Sequence, residues 1–307
     1  MNPETSTATE TVYQVPCSRT ICAVIVTYFP DLQLAERLKK ITDQVAQTVI
    51  VDNGSPASCL ERIKEFGNNP AIHLILNESN EGIASALNAG VRWAASRGFQ
   101  WVLTFDQDTI VSPEMVAEFE MVARSYPEPA RLAVVGSNYQ DKVNGKLLSW
   151  SGRGTDNALS TKIPSVLTSG SLISVSAFQT IGGFRDGFFI DCVDHEYCLH
   201  ARALGFDVVV TSKPVMRHEI GHVSEHRLFG KKVRAANHSP VREYYRARNS
   251  IVLIREYLAR EPRWLLYYMW SWSKSVVFIF LFEKDRMQKL GNTIRGCVDG
   301  LLGRTGI

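Results

Sequence analysis

Three clusters of residues have types and spacings that could do chemistry. Asp106-Gln107-Asp108 puts two carboxylates at alternate positions directly after the apolar run Trp101-Val-Leu-Thr-Phe. In an extended chain alternate side chains share one side, so the two acids can converge on one ligand. Hard divalent ions such as Mg²⁺ and Mn²⁺ take one or two carboxylates and complete their shell with phosphate oxygens. The same triplet also reads as a pair of exposed loop acids. Asp52-Asn53-Gly54-Ser55 follows another apolar run; it is either a second ligand-facing strand end or a polar turn, since each residue favours turns. In Gly182-Gly-Phe-Arg185, then Phe188-Phe-Ile-Asp191-Cys-Val-Asp194-His-Glu196, glycines and aromatics lead into a helix that opens with acids. Acids there complement the helix dipole, and one of them could instead act as a general base.

The elements that must position these residues alternate. Apolar, β-branched runs at 21–27, 48–52, 72–76, 101–106 and 132–137 read as buried strands. Helical patterns fill 32–45, 58–66, 82–97 and 113–125 between them. Such alternation predicts a mostly parallel sheet with helices on both faces, whose ligands sit beyond the carboxyl ends of the strands. Asn80-Glu81-Gly82, followed by small residues through Asn88 and Gly90, reads as a capped helix start. It serves either close packing on the sheet or an anionic ligand at free N–H groups. Neither the dinucleotide glycine fingerprint nor the P-loop is present. Further strands are expected at 146–150, 166–174 and 207–211, a helix at 194–204, and helices from 240 nearly to the end. Residues 218–239 show no clear period and read as a long loop. They hold His218, His222, His226 and His238, but Gly221 and Gly230 disfavour the helix that a zinc site of this spacing would need.

The bulk properties narrow the class. The 307 residues, 45% of them hydrophobic, suffice for one large α/β domain with an appendage. A net charge of +3 argues against a nucleic-acid binder. Six scattered cysteines with no C-x-x-C pair suit reduced thiols in the cytosol. Residues 1–19 are polar, lack a signal-peptide pattern and read as a loose tail. Residues 264–282 are rich in aromatics, with Lys274 near the middle and Arg260, Arg263, Lys284 and Arg286 as flanks. A spanning helix needs about 20 apolar residues and disfavours a central charge. Three readings stay open: an in-plane membrane helix, a helix packed in the core or a dimer, and a true span.

The ordered series VTYFP, VDNGS, NEGIASALNAG, FDQD, SGSLIS, GGFRDGFFIDCVDHEYCLHARALGF and SPVREYYRARN resembles glycosyltransferase family 2, more narrowly bacterial rhamnosyltransferases of O-antigen and capsule assembly. The resemblance runs from about 21 to 257. It implies a GT-A fold over 20–239, a C-terminal helical, membrane-associating extension over 240–307, and an inverting single displacement. It implies that Asp52 binds the base with Thr27 nearby. Asn80, Gly82 and Asn88 would shape the nucleotide–sugar pocket, with Gln107 beside it. Asp106 and Asp108 would hold Mn²⁺ or Mg²⁺ and the ribose–diphosphate, and His218 would complete the metal site. Arg242 and Arg248 would approach the phosphates. Asp194 matches the catalytic base, with Asp191 as its rival, and Ser169, Gly170, Asp191 and Glu196 would face the acceptor. Two positions depart from many family members: Val193 stands where they have Glu, and His200 where they often have Arg.

The implied donor is dTDP-rhamnose and the implied acceptor a glycan or lipid-linked hydroxyl at the cytoplasmic membrane face, with a homo-oligomer as a further possibility. A UDP-sugar such as UDP-galactofuranose or UDP-glucose on the same fold is the alternative. A non-catalytic membrane-associated binding or scaffold protein is the alternative of another class.

Overall fold

The computed structural model describes residues 13–141, 158–218, 224–228, 231–235 and 237–306. The strand expected at 146–150 and His222 lie outside the described residues.

Strands β1 (Ile21–Thr27), β2 (Gln47–Asp52), β3 (Ile72–Leu76) and β4 (Trp101–Asp106) alternate with helices α1 (Leu34–Thr42), α2 (Ala57–Phe66) and α3 (Ile83–Ser96). The four strands pair in parallel in the order β3-β2-β1-β4. A buried parallel strand must be apolar on both faces, and β1 shows this directly. Cys22, Val24 and Val26 enter one core with α3, while Ile21, Ala23 and Ile25 enter the other with α1. Parallel pairing also brings the ends of these strands to one edge, so Thr27, Asp52 and Asp106 emerge together.

The chain continues through β5 (Ile110–Val111), α4 (Met115–Ser125), β6 (Leu132–Asp141), β7 (Ser160–Lys162), β8 (Ser171–Ser174), α5 (Val175–Ile181), α6 (Val193–Ala203) and β9 (Asp207–His218). Strand β8 runs antiparallel between β4 and β6, and β9 lies parallel to β6, giving a mixed nine-stranded sheet. The expected strand at 166–174 is confined to its last four residues. The preceding segment crosses to the end of β4, where Gly170 N–H donates to Thr104 O at 2.8 Å.

The region 218–239 is not one long loop. It carries a hairpin of β10 (Ser224–Leu228) and β11 (Lys231–Ala235), paired antiparallel from Ser224↔Ala235 to Leu228↔Lys231. Its sequence is basic and polar, so no apolar alternation announced it.

Helices α7 (Pro240–Tyr257), α8 (Pro262–Phe282) and α9 (Arg286–Leu301) complete the chain. Ser239 caps α7, its hydroxyl accepting from Arg242 N–H at 3.3 Å, and Pro240 takes the first turn, where a missing N–H costs nothing. Val252, Leu253, Tyr257, Trp264 and Leu265 join the core shared with α3, α5 and α6, so α7 and the start of α8 are packed into the body of the protein. All six cysteines are free thiols.

Candidate active site

The strand ends and the C-terminal helices enclose a cleft of about 750 Å³. One side is made by Tyr28, Asn53, Asn80, Gly82 and the Asp106-Gln107-Asp108 run. Opposite lie Asp191 to His195, and then His238, Arg242, Arg246 and the inner face of α8. The rule that ligands bind beyond the strand ends therefore holds here.

The strand-end side is fixed by side chains that bond to backbone. Gln107 Nε2 donates to Tyr28 O at 3.0 Å and its Oε1 accepts from Tyr28 N–H at 2.8 Å, locking the segment after β1. Asp52, fully buried, accepts from Thr27 Oγ1 at 2.9 Å, from Ser55 Oγ at 2.6 Å and from Ser55 N–H at 2.8 Å. Asp52 and Thr27 therefore lie beneath the cleft, bonded to their neighbours, rather than on its wall. Asn53 stands above them: its Nδ2 donates to Asn80 Oδ1 at 2.9 Å, and its Oδ1 accepts from Asn77 and from Glu81 N–H. Sequence reasoning singled out Asp52 and Asn80 but not this linking asparagine.

Asp106 and Asp108 both line the cleft. Asp106 N–H donates to Ser169 Oγ at 3.1 Å, and that hydroxyl lies 2.5 Å from Thr109 Oγ1, so Ser169 ties the Asp-Gln-Asp turn to the segment before β8. The two carboxylates fit Mn²⁺ or Mg²⁺ in the mode in which substrate oxygens supply the remaining ligands. Among the described residues no group of three or more His, Cys, Asp or Glu could hold a metal by itself. His218 ends β9. Ile110 pairs with Arg217 across β5 and β9, so one further step of that register sets the backbone of 218 opposite Thr109, beside Asp108.

The opposite wall is a strained loop. Phe189, Asp191 and Cys192 have φ of 55°, 62° and 62°. Phe189 is the centre of a three-residue turn closed by Ile190 N–H on Phe188 O at 2.6 Å. Positive φ in three non-glycine residues within four costs on the order of 1–3 kcal/mol each, and the surroundings over-determine the loop. Asn249 of α7, fully buried, directs Nδ2 at the carbonyls of Phe188, Ile190 and Asp191 at 2.8, 3.0 and 2.9 Å. Ile83 N–H, at the start of α3, donates to Phe189 O at 2.7 Å. Gly82 lies against the same residue: at φ 88° and ψ 160°, a Cβ there would sit 2.7 Å from Phe189. Gly82 is therefore required by backbone conformation and by close approach together.

Two acids project from this loop and helix. Asp191 is held by Arg242, with Nε to Oδ2 at 2.9 Å and Nη2 to Oδ1 at 2.9 Å. Burial works against the charge on Arg242, but its bonds to Asp191 outweigh that and raise its pKa. Asp194, in the first turn of α6, accepts only from His195 N–H, at 2.8 Å on Oδ1, among the bonds of the described residues. Cys192 between them is inert: burial pushes its thiol up to about 12. His238 lines the cleft and is held neutral, its pKa lowered to about 4 by burial and by the neighbouring Arg242 charge.

Several sequence-derived site residues are not brought into the cleft. Arg248 is 1% exposed, its guanidinium bonded to Asn249 Oδ1 and to the carbonyls of Gly187 and Gly306, and it stacks on Tyr245. It supports the strained loop from behind and faces no ligand. Asn88 is buried and ties α3 to the 184–186 turn through Phe184 and Asp186. Glu196 points into the core, bonded to Tyr257 Oη at 3.1 Å, and burial raises its pKa despite nearby Arg185. Gly170 is packed against Met216 and Ser137, below the acceptor side it was expected to face.

A mixed, mostly parallel sheet whose strand ends meet paired carboxylates across from a helix-borne acid defines the GT-A class of transferase. Residues 22–182 match the family described as Glycosyl transferase family 2, and the chain belongs to that family and is a glycosyltransferase. Over 306 residues it is 29% identical to a protein named dTDP-rhamnosyl transferase RfbF, of Shigella flexneri, covering 93% of this chain and 97% of the relative. Poly-beta-1,6-N-acetyl-D-glucosamine synthase of Staphylococcus epidermidis is 31% identical over 91 residues, 30% of this chain and 21% of that protein. Among solved structures, S. aureus TarS superposes with a TM-score of 0.61 at 15% identity, covering 93% of this chain and 49% of that one. GalNAc-T7 with UDP, GalNAc and Mn2+ gives 0.55 at 17% identity, over 79% and 49%. These two structures share the fold.

Proposed function

We propose that the protein is an inverting rhamnosyltransferase, moving L-rhamnose from dTDP-rhamnose to a hydroxyl of a glycan or lipid-linked acceptor in cell-surface polysaccharide synthesis. The observation that carries this reading is one cleft with Asp106 and Asp108 on one side and the available carboxylate of Asp194 on the other. The choice of donor is supported by likeness to the Shigella protein along nearly the whole of both chains.

In this reading the acceptor oxygen attacks the anomeric carbon, forming the new C–O bond as the bond to the diphosphate breaks. Asp194 takes the acceptor proton, and dTDP leaves with the bonding electron pair. Asp191 serves differently, as the anchor for Arg242. Gln107, Asn53 and Asn80 fix the strand-end side, so holding both substrates in line supplies much of the acceleration. Asp106 and Asp108, with His218, would hold Mn²⁺ or Mg²⁺, which supplies positive charge against the leaving diphosphate. The division into a catalytic domain at 20–239 and an extension at 240–307 belongs to the same proposal, with α8 as the helix that meets the cytoplasmic membrane face.

The test is a donor panel with the purified full chain, read as nucleotide release with and without Mn²⁺. dTDP-rhamnose is expected to be the fastest donor. EDTA, or Asp108→Ala, is expected to reduce release at least a hundredfold, the scale on which charge stabilisation of a leaving group acts. Faster release from UDP-galactofuranose or UDP-glucose would overturn the donor, and release indifferent to EDTA would overturn the metal.

A further inference from the structure

The family match ends at residue 182, but the cleft does not. Its outer wall includes Tyr268, Ser271, Trp272 and Ser275 of α8. Their spacing of three, four and seven places them on one helix face. The first of the four is fixed in place. Tyr268 Oη lies 3.1 Å from Cys192 Sγ and 2.8 Å from Ser250 Oγ, and its ring meets His195 edge-on with centroids 5.4 Å apart, within the span of aromatic contact. That contact sets the α8 face directly beside Asp194, the residue before His195.

Among the described residues the other three have no side-chain bond to another element. The only side-chain bond among them is from Ser275 Oγ to Ser271 O, long at 3.4 Å. Trp272 Nε1 is shut off from solvent and has no hydrogen-bond partner among the described residues. A buried indole N–H without a partner is uncommon in a folded protein and asks for an explanation. A ligand oxygen reaching it after a small turn of the ring would satisfy it. An aromatic ring flanked by two hydroxyls has the composition of a site for a polar ligand with an apolar face, and a saccharide is such a ligand. Its C–H face lies on an indole while its hydroxyls bond around the edge.

We propose that this face of α8 is the acceptor subsite: it takes a terminal saccharide ring against Trp272, with Ser271 and Ser275 at its hydroxyls, and turns one hydroxyl toward Asp194. The inference rests on the reading of Asp194 as the base. It moves acceptor choice out of the segment that matches the family, residues 22–182, and into a helix of the C-terminal part.

The experiment is steady-state transfer from dTDP-rhamnose to octyl glycosides of rhamnose, glucose, galactose and N-acetylglucosamine. Ser271 is exposed, so Ser271→Trp adds bulk to the subsite without disturbing the core. It is expected to raise the acceptor KM at least tenfold while the donor KM stays within twofold. Trp272→Phe, which keeps a ring and loses the N–H, is expected to raise the acceptor KM less than Trp272→Ala does. Unchanged acceptor KM in all three variants overturns the subsite, as does an equal rise in both KM values. A wild-type enzyme that hydrolyses its donor and transfers to none of the four glycosides overturns a saccharide as the ligand. Failure of the underlying reading is distinguishable, because an active Asp194→Asn would remove the base and leave the KM split intact.

Discussion

Arg242 grips both carboxylate oxygens of Asp191 at 2.9 Å, while Asp194, three residues on, has no arginine or lysine bonded to it among the described residues and only the His195 imidazole nearby, Nδ1 at 3.7 Å from Oδ1. Two acids that look equivalent in sequence are thereby given different work. The first is committed to the loop; in the proposed reaction the second keeps an oxygen for the acceptor proton. Asp194→Asn is expected to lower kcat about 10³-fold, within the usual range for loss of a general base, with nucleotide binding within twofold of wild type. Asp191→Asn is expected to lose about tenfold. A dead Asp191→Asn beside a near-normal Asp194→Asn would reverse the assignment.

Asn249 is expected to act on catalysis without touching a substrate, because its single amide group holds three carbonyls of the strained loop. Asn249→Ala leaves those carbonyls buried and unsatisfied, at a cost of about 2 kcal/mol or more. It also frees the backbone that aims Asp194. Denaturant unfolding should show the loss of stability. At temperatures where the variant remains folded, kcat should fall at least tenfold with donor KM unchanged. Unaltered kcat in a folded variant would mean that the clamp serves stability alone.

His238 predicts a pH dependence of stability. Its folded pKa of about 4 lies below the ordinary 6.5, so between those values the unfolded chain binds a proton that the folded chain refuses. Stability therefore falls as pH drops from about 6.5 to about 4 and is unaffected by this group above that window. Glu196, raised by burial, slopes the other way, so the measurement is a difference. The melting temperature of wild type should fall relative to that of His238→Gln as the pH drops from about 6.5 toward 4. Parallel curves would show that His238 titrates normally.

The outer face of α8 predicts binding to a lipid surface. Leu266, Trp270, Val277 and Leu281 are exposed at helical spacing, and Met287, Ile294, Val298 and Leu301 repeat the pattern on α9. Arg260, Arg263, Lys284 and Arg286 are exposed at the ends of α8, where anionic headgroups would meet them. By length and composition α8 could also cross a membrane, but its inner face is a wall of the cleft and cannot face lipid as well. The full chain is expected to co-sediment with phosphatidylglycerol vesicles and to be released by high salt. Leu266→Glu with Trp270→Glu should weaken that binding about a hundredfold. Undiminished binding by the double variant, or a dimer in gel filtration that the same changes dissociate, would refute the surface role.

How far the structure could be read from the sequence follows from element length. Strands β1, β3 and β4 begin and end where their apolar runs do, because runs of mostly apolar residues of this length are long enough to mark a strand. The two-residue β5, the three-residue β7 and the seven-residue α5 are too short for a period to form. The Asp-Gln-Asp turn and the Asp194 region were legible because strand ends and helix starts mark themselves. The asparagines were harder. Nothing in the local sequence separates Asn88, which ties two elements together, from Asn53, which faces the cleft. Arg248 illustrates the same limit, because a buried arginine and a phosphate-binding one look identical until their partners are known. Trp272 did carry a signal: it stands four residues after Tyr268 and so shares its face, on the side of α8 opposite the exposed Trp270.

The two-sided character of α8 has a geometric consequence. A helix with its side chains is about 10–12 Å across. If its outer face rests on a bilayer while its inner face walls the cleft, the height of Asp194 above the lipid is set to roughly that thickness. The enzyme would then act as a ruler. A sugar one or two units from a lipid anchor would reach the base, and the tip of a long chain would pass it by. Such an arrangement would select acceptors by their distance from the membrane as well as by their chemistry, and would confine the enzyme to the first steps of building a chain.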